Sequence, residues 1–189
     1  HKPVLGCTIH SRIDRILDLW PNTKLICIVR DPRDVCRSCV GMGWYGHPAA
    51  AISKWNDPIK RWQHARDKLP DDRHVMIRYE DLLRDPEGEL DRCCKLLGLR
   101  FHKDMLSFHE SSSYESLDPS LAEQWRRKMN PRTAEIIDAA CMPTMLDYGY
   151  ESSSSHPKRA HGIERLKIRL GNRYGRLQFR IKRYGLSLV

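Results

Sequence analysis

At 189 residues the chain can bury one sizeable core, and one main domain is the default. Nowhere does it reach the roughly 20 consecutive apolar residues of a membrane-spanning helix, and no secretory signal is visible, which argues against an α-helical membrane protein and for a cytoplasmic one. The net charge of +9 is unevenly placed: residues 157–189 hold ten Lys/Arg and one acid, Glu164, and the rest balances at 23 basic and 23 acidic side chains, so the main domain is neutral and the excess belongs to the tail.

In chain order, Ser11 caps a short helix carrying Ile13, Ile16, Leu17 and Trp20, ended by Pro21-Asn22. Leu25–Val29 is an apolar run with three β-branched residues, too short for a helix, and reads as a strand buried on both faces. A helix over 32 to about 42 follows. The stretch 41–46 is too glycine-rich to stay helical, and its Trp44 and Tyr45 suit either a substrate-facing loop or packing on the core. A long helix is predicted from Pro48 to about Lys68, with Trp55 and Trp62 turned inward. His74 to Tyr79 is a second short apolar strand. Asp85-Pro86 opens a helix that Gly98 stops. Strand, helix, strand, helix at this spacing argues for parallel βα units with the long helix as crossover. Helices over 101–109, 121–129 (Trp125 inward) and 131–146 follow. Ser152 to Ser155 with His156-Pro157 reads as a linker.

The chain is organised around 24–38. Asp31 can cap a helix and Pro32 fits its first turn. A buried strand therefore runs into a helix with Arg30 at the mouth, where open α/β sheets bind ligands beside free helix N–H groups. Arg30 offers a planar charged fork suited to phosphate, and Ser38 two turns on can add a hydroxyl. The plainer alternative is an Arg at a strand end and a Ser facing a neighbouring helix. Cys36-x-x-Cys39 with His47 downstream has the look of a zinc site, but the pair falls on one helix and no second CxxC or HxxxH follows; no metal is expected. The seven cysteines sit mostly in predicted strand or helix, as thiols acting as small apolar fillers in a reducing compartment. GxxxxGK[ST], GxSxG and HExxH are all missing.

The segment WPNTKLICIVRDPRDVCRSCVGMGW strongly resembles the 3'-phosphate-binding strand and helix of sulfotransferases that use 3'-phosphoadenosine 5'-phosphosulfate. In that family an Arg ending the strand and a Ser eight positions later hold the 3'-phosphate; Arg30 and Ser38 stand at that spacing. VMIRYEDLLRDPEGELDRCCKLLGL is similar to the family's strand–YED–helix block, whose Tyr, here Tyr79, commonly approaches the adenine. AEQWRRKMNPRTAEIIDAACMPTMLDYGYE matches the closing Trp segment and last helix more weakly. The likeness runs from about Pro3 to Glu151.

The resemblance implies an α/β fold with a P-loop-NTPase-like parallel sheet flanked by helices, incomplete at the N-terminus, with a basic C-terminal extension: a partial domain over 1–151, a linker over 152–157 and the extension over 158–189. The family's 5'-phosphosulfate loop, a strand–turn–helix with a Lys, belongs upstream of His10 and is not matched here. The implied reaction is in-line transfer of a sulfuryl group to a hydroxyl or amine of a small-molecule or carbohydrate acceptor. His10 is the candidate base, against a surface His near a helix start. Arg126, Arg127 and Lys128 suit either closure over the 3'-phosphate or a solvated helix face. A degenerate, inactive binding or scaffold protein is the alternative. The tail alternates apolar residues with Arg and Lys, which suits an anionic membrane surface or a solvated or core-docking extension; nucleic acid is not expected.

Overall fold

The computed structural model describes residues 4–9, 13–112 and 115–185. His10 and Ser11 lie outside the described residues.

Helix α1 (Ile13–Leu19) leads into strand β1 (Leu25–Val29). Two helices, α2 (Pro32–Gly41) and α3 (Ser53–Arg66), carry the chain back to strand β2 (His74–Arg78). Two parallel strands cannot be joined by a tight turn, and these helices are the crossover. The strands pair in parallel from Leu25 opposite His74 to Val29 opposite Arg78. Helices α4 (Tyr79–Arg84) and α5 (Pro86–Leu97) follow, the latter closed by Gly98 at φ 72°, a left-handed conformation open to glycine. Then come α6 (Trp125–Lys128), α7 (Pro131–Cys141), α8 (Thr144–Asp147) and the long α9 (Gly162–Tyr184).

The core gathers Val29 of β1, Cys36 of α2, Trp55 and Trp62 of α3, and Ile137 and Cys141 of α7. Both tryptophans face inward, as their helical spacing predicts. Trp44 instead is 55 % exposed, with Lys54 Nζ 5.8 Å from its ring centroid, so it does not plug the core.

Several elements differ from expectation for definite reasons. β1 is not buried on both faces: Leu25 and Val29 point into the core, but Ile26 and Ile28 are 41 % and 57 % exposed, because only one face of this two-stranded sheet is well covered among the described residues. The helix predicted from Pro48 begins as a 3₁₀ turn over Pro48–Ala51, capped by His47, and turns α-helical at Ser53. The segment 101–109 folds as 3₁₀ turns over Lys103–Ser111, kinked at Ser107. The helix expected over 121–129 shrinks to α6, because Glu123 adopts a φ of 50° just before it. The helix from Pro131 stops at Cys141, two residues before Pro143, which has no N–H to continue it.

The serine stretch after Glu151 is tied down. The backbone N–H of Ser153 donates to Asp138 Oδ2 at 2.6 Å, and the hydroxyls of Ser152 and Ser153 reach the same oxygen.

Candidate functional site

The parallel register dictates what meets at the strand tips. Val29 and Arg78 are the last pair, so Arg30 and Tyr79 leave the sheet side by side. The Arg30 guanidinium lies over the Tyr79 ring, 4.5 Å from its centroid. Two further contacts hold Arg30: the Trp55 indole N–H donates to its carbonyl at 2.8 Å, and its Nη2 donates to the Leu121 carbonyl at 2.9 Å. Its Nε is buried and has no hydrogen-bond partner. A desolvated donor on a permanent cation is the kind of group an oxyanion completes.

Helix α2 starts as its sequence requires. Asp31 Oδ1 accepts the Arg33 N–H at 2.8 Å and Pro32 fills the first turn. Of the N–H groups expected to be free at this helix start, two are already taken and one is absent. The Asp31 N–H donates to Glu80 Oε1 at 3.0 Å, Pro32 has none, and Arg33's is taken by the cap.

Beneath the site lies a charged frame buried from water. Arg33 makes a two-pronged contact with Asp31 (Nε–Oδ1 2.8 Å, Nη2–Oδ2 2.7 Å) and its Nη1 sits 3.2 Å from Asp138 Oδ1, an ion pair without hydrogen-bond alignment. Its guanidinium lies 3.6 Å from the Trp125 ring centroid. Glu80 is fully buried; its Oε2 accepts the Tyr150 hydroxyl at 2.9 Å, while its Oε1 takes the Asp31 N–H. Burial, with Glu80 beside it, pushes the Tyr150 hydroxyl well above the usual tyrosine range. Lone buried charges are costly, and here each finds partners in a connected network.

Asp34 does a different job. Its two carboxylate oxygens accept the backbone N–H groups of Gln124 (3.1 Å) and Trp125 (2.9 Å), clamping the 121–125 segment over α2. Burial pushes the Asp34 carboxyl up from its ordinary value, with the Arg30 charge opposing. Ser38 lies one turn beyond Asp34 on the same helix face, half-buried, and Arg37 beside it donates to the Gln124 side chain. Arg30, Tyr79 and the clamped segment thus meet at one end of the sheet, with Ser38 on the face of α2 that looks towards that segment. His10 lies outside the described residues. Arg126, Arg127 and Lys128 are exposed on α6: Arg126 pairs with Glu123, Arg127 donates to the Ser120 carbonyl, and Lys128 to the Gln124 side chain.

Cys36 and Cys39 are buried in the core, where burial pushes both thiols above their ordinary value, and His47 spends its Nδ1 on the Ala49 N–H. No group of three His, Cys, Asp or Glu side chains that could hold a metal occurs among the described residues. Two clefts, of about 730 and 390 Å³, lie away from Arg30: one beside α9, one at the start of β2.

Sequence reasoning did not single out Asp34, Arg37, Glu80 or Gln124. Asp34 and Glu80 were visible as acids inside the two matching blocks; an acid one turn from a helix start is common on any surface, and only the fold reveals that both are buried.

Known proteins share parts of this sequence and of this fold. A family model described as "Sulfotransferase family" matches residues 8–103, just over half of the 189. The omega-hydroxy-beta-dihydromenaquinone-9 sulfotransferase Stf3 of Mycobacterium bovis is 27 % identical over 175 residues, covering 82 % of this chain and 43 % of that protein. Human carbohydrate sulfotransferase 3 is 28 % identical over 90 residues, covering 42 % of this chain and 19 % of its own length. This chain therefore spans less than half of either protein. Among solved structures, the sulfotransferase domain from the curacin biosynthetic pathway superposes with a TM-score of 0.65 at 22 % identity, over 73 % of this chain and 57 % of that one, a likeness of fold.

Proposed function

Because the chain belongs to the sulfotransferase family, we propose that it carries the nucleotide-binding part of an enzyme that moves a sulfuryl group from 3'-phosphoadenosine 5'-phosphosulfate to an acceptor hydroxyl or amine. The observation that carries this reading is Arg30 at the tip of β1, stacked on Tyr79 and keeping one buried donor unpartnered. A phosphate oxygen fits that donor set. Arg30 and Ser38 would hold the 3'-phosphate, Tyr79 would stand beside the adenine, and Arg37 adds a second guanidinium on the Ser38 face. Bound donor would supply the activated sulfuryl group.

The chain's own contribution is positioning and charge. The frame of Arg33, Asp31, Glu80 and Asp138 keeps the strand tip rigid, so Arg30 is oriented before the nucleotide arrives, which lowers the cost of binding. His10 is the proposed base that takes the acceptor proton. A lysine-bearing loop for the 5'-phosphosulfate, which the family resemblance puts upstream of His10, would complete the donor site. The acceptors in the relatives' names, an omega-hydroxy quinone and a carbohydrate, both offer hydroxyls. A small-molecule or carbohydrate hydroxyl is the proposed acceptor class.

Calorimetric titration with adenosine 3',5'-bisphosphate tests the site. Arg30→Ala should weaken binding by about ten- to a hundredfold, the worth of about 1.5–3 kcal/mol for hydrogen bonds to a charged group. Arg30→Lys should recover only part of it, since a point charge does not replace the fork. Equal affinity in wild type and Arg30→Ala would remove the assignment and leave the inactive-scaffold alternative.

A further inference from the structure

Helix α9 divides sharply into two faces. The inner face docks on the body through Ile168, Asn172, Gly175 and Phe179, one per turn. Asn172 Oδ1 accepts the Gly46 N–H at 2.7 Å, Phe179 covers Gly43, and Gly175 lies against the Gly46 backbone so closely that a Cβ there would fall 2.5 Å from the Gly46 carbonyl oxygen. At the helix start, Arg132 grips Glu164 through two hydrogen bonds of 2.8 Å. These contacts fix which side of the helix looks outward.

At 100° per residue, the side opposite the docked face carries Ile163, Leu166, Leu170, Tyr174, Leu177 and Tyr184. All six are exposed, between 42 % and 67 %. Beside this stripe runs a row of six exposed arginines, Arg165, Arg169, Arg173, Arg176, Arg180 and Arg183, at steps of three and four. None of them lies within ion-pair distance of a carboxylate among the described residues. The helix's only acid, Glu164, is already consumed by Arg132. The cationic flank continues towards the body, where Lys60 and Arg159 join Arg165 and Arg169 around the cleft of about 730 Å³.

We propose that α9 is an interfacial helix that docks this protein on an anionic lipid surface, its apolar stripe among the acyl chains and its arginine row on the headgroups. Charge complementarity selects this occupant. A second copy of the chain would bring arginine row against arginine row, with no acidic row to answer it. A nucleic acid would use the arginines but leave the apolar stripe in water. An anionic bilayer satisfies both at once, since apolar burial and headgroup attraction add. The helix is too polar to cross: no helix among the described residues is long and apolar enough to span a membrane. Orientation follows from the docking. With its inner face on the body, α9 lies flat between protein and membrane.

Co-sedimentation of the whole chain with lipid vesicles tests this. The protein should pellet with phosphatidylcholine vesicles containing phosphatidylglycerol, release as salt rises, and stay in solution with phosphatidylcholine alone. Combining Arg173→Gln, Arg176→Gln and Arg180→Gln should cut the affinity about a hundredfold. The pair Leu170→Glu and Leu177→Glu, on the exposed face, should abolish pelleting while circular dichroism and adenosine 3',5'-bisphosphate binding stay as in wild type. Four results would overturn the proposal: a folded wild type that ignores anionic vesicles, equal binding to neutral ones, vesicle binding unchanged by the leucine pair, or a dimer in light scattering that the leucine pair dissolves while vesicles do not bind. Nucleotide affinity reports separately on Arg30, so failure of the helix would leave the site assignment untouched.

Discussion

Asp34 Oδ1 accepts the backbone N–H of Trp125 at 2.9 Å, joining positions 91 residues apart. The contact sets the height of the 121–125 segment above α2, and with it the Leu121 carbonyl that receives the Arg30 guanidinium. A residue with no expected contact to the nucleotide therefore helps to aim the one proposed to grip it.

Asp34→Ala removes the acceptor of two buried N–H groups at once. Each orphaned donor costs about 1–3 kcal/mol, so the urea midpoint should fall by an amount equivalent to about 2–6 kcal/mol. Affinity for adenosine 3',5'-bisphosphate should fall too, as the clamp over Arg30 loosens. Unchanged urea unfolding would show that the segment is held by something else.

Tyr150→Phe tests the link between the end of the chain's main body and the strand tip. The hydroxyl is the partner of the fully buried Glu80 Oε2, and its loss leaves a carboxylate oxygen unanswered. A cost of about 1–3 kcal/mol is expected by denaturant unfolding, with the ring's packing kept. A variant as stable as wild type would mean that Glu80 is satisfied without this residue.

Alkaline pH should weaken the fold through its buried thiols. Burial, aided by the nearby charges of Asp138 and Asp31, pushes the Cys141 thiol from 9 to about 12; burial does the same to Cys27. The folded state therefore holds these protons more tightly than the unfolded chain. Stability from each thiol is intact below pH 9 and drains away as pH rises towards 12, at about 1.4 kcal/mol per pH unit. Urea unfolding between pH 9 and 10 should show that slope, reduced by one thiol's share in Cys141→Ala. An identical slope in the variant would contradict the prediction.

Gly175→Ala should release α9 from the body. The added Cβ would fall 2.5 Å from the Gly46 carbonyl oxygen and 2.7 Å from its Cα, and backbone cannot yield as a flexible side chain would. Limited proteolysis should become faster around 152–161, with nucleotide affinity unaffected because Arg30 lies elsewhere. Proteolysis at the wild-type rate would show that the helix is held without this close approach.

Much of the site was legible in the chain itself. A short apolar run followed by Asp31-Pro32 specifies a strand tip feeding a capped helix, because both signals are local: β-branched residues favour the strand, and the carboxylate and the imino ring favour the helix start. Arg30 and Ser38 could be named for the same reason, from their distances to those signals, whereas Tyr79 came only from the family resemblance. The amphipathic character of the tail was also written in its residue order.

Tertiary structure decided what each neighbouring charge is for. Asp31, Asp34 and Glu80 sit within three or four residues of Arg30 or Tyr79 and look alike as acids, yet one caps, one clamps a segment 90 residues away, and one ties the strand tip to Tyr150. Which side of α9 faces out was settled likewise, by a glycine-on-glycine crossing between Gly46 and Gly175. Local propensity reaches only a few residues along the chain, whereas a buried carboxylate must be satisfied by whatever N–H the fold brings to it, and that partner is a property of the packing alone.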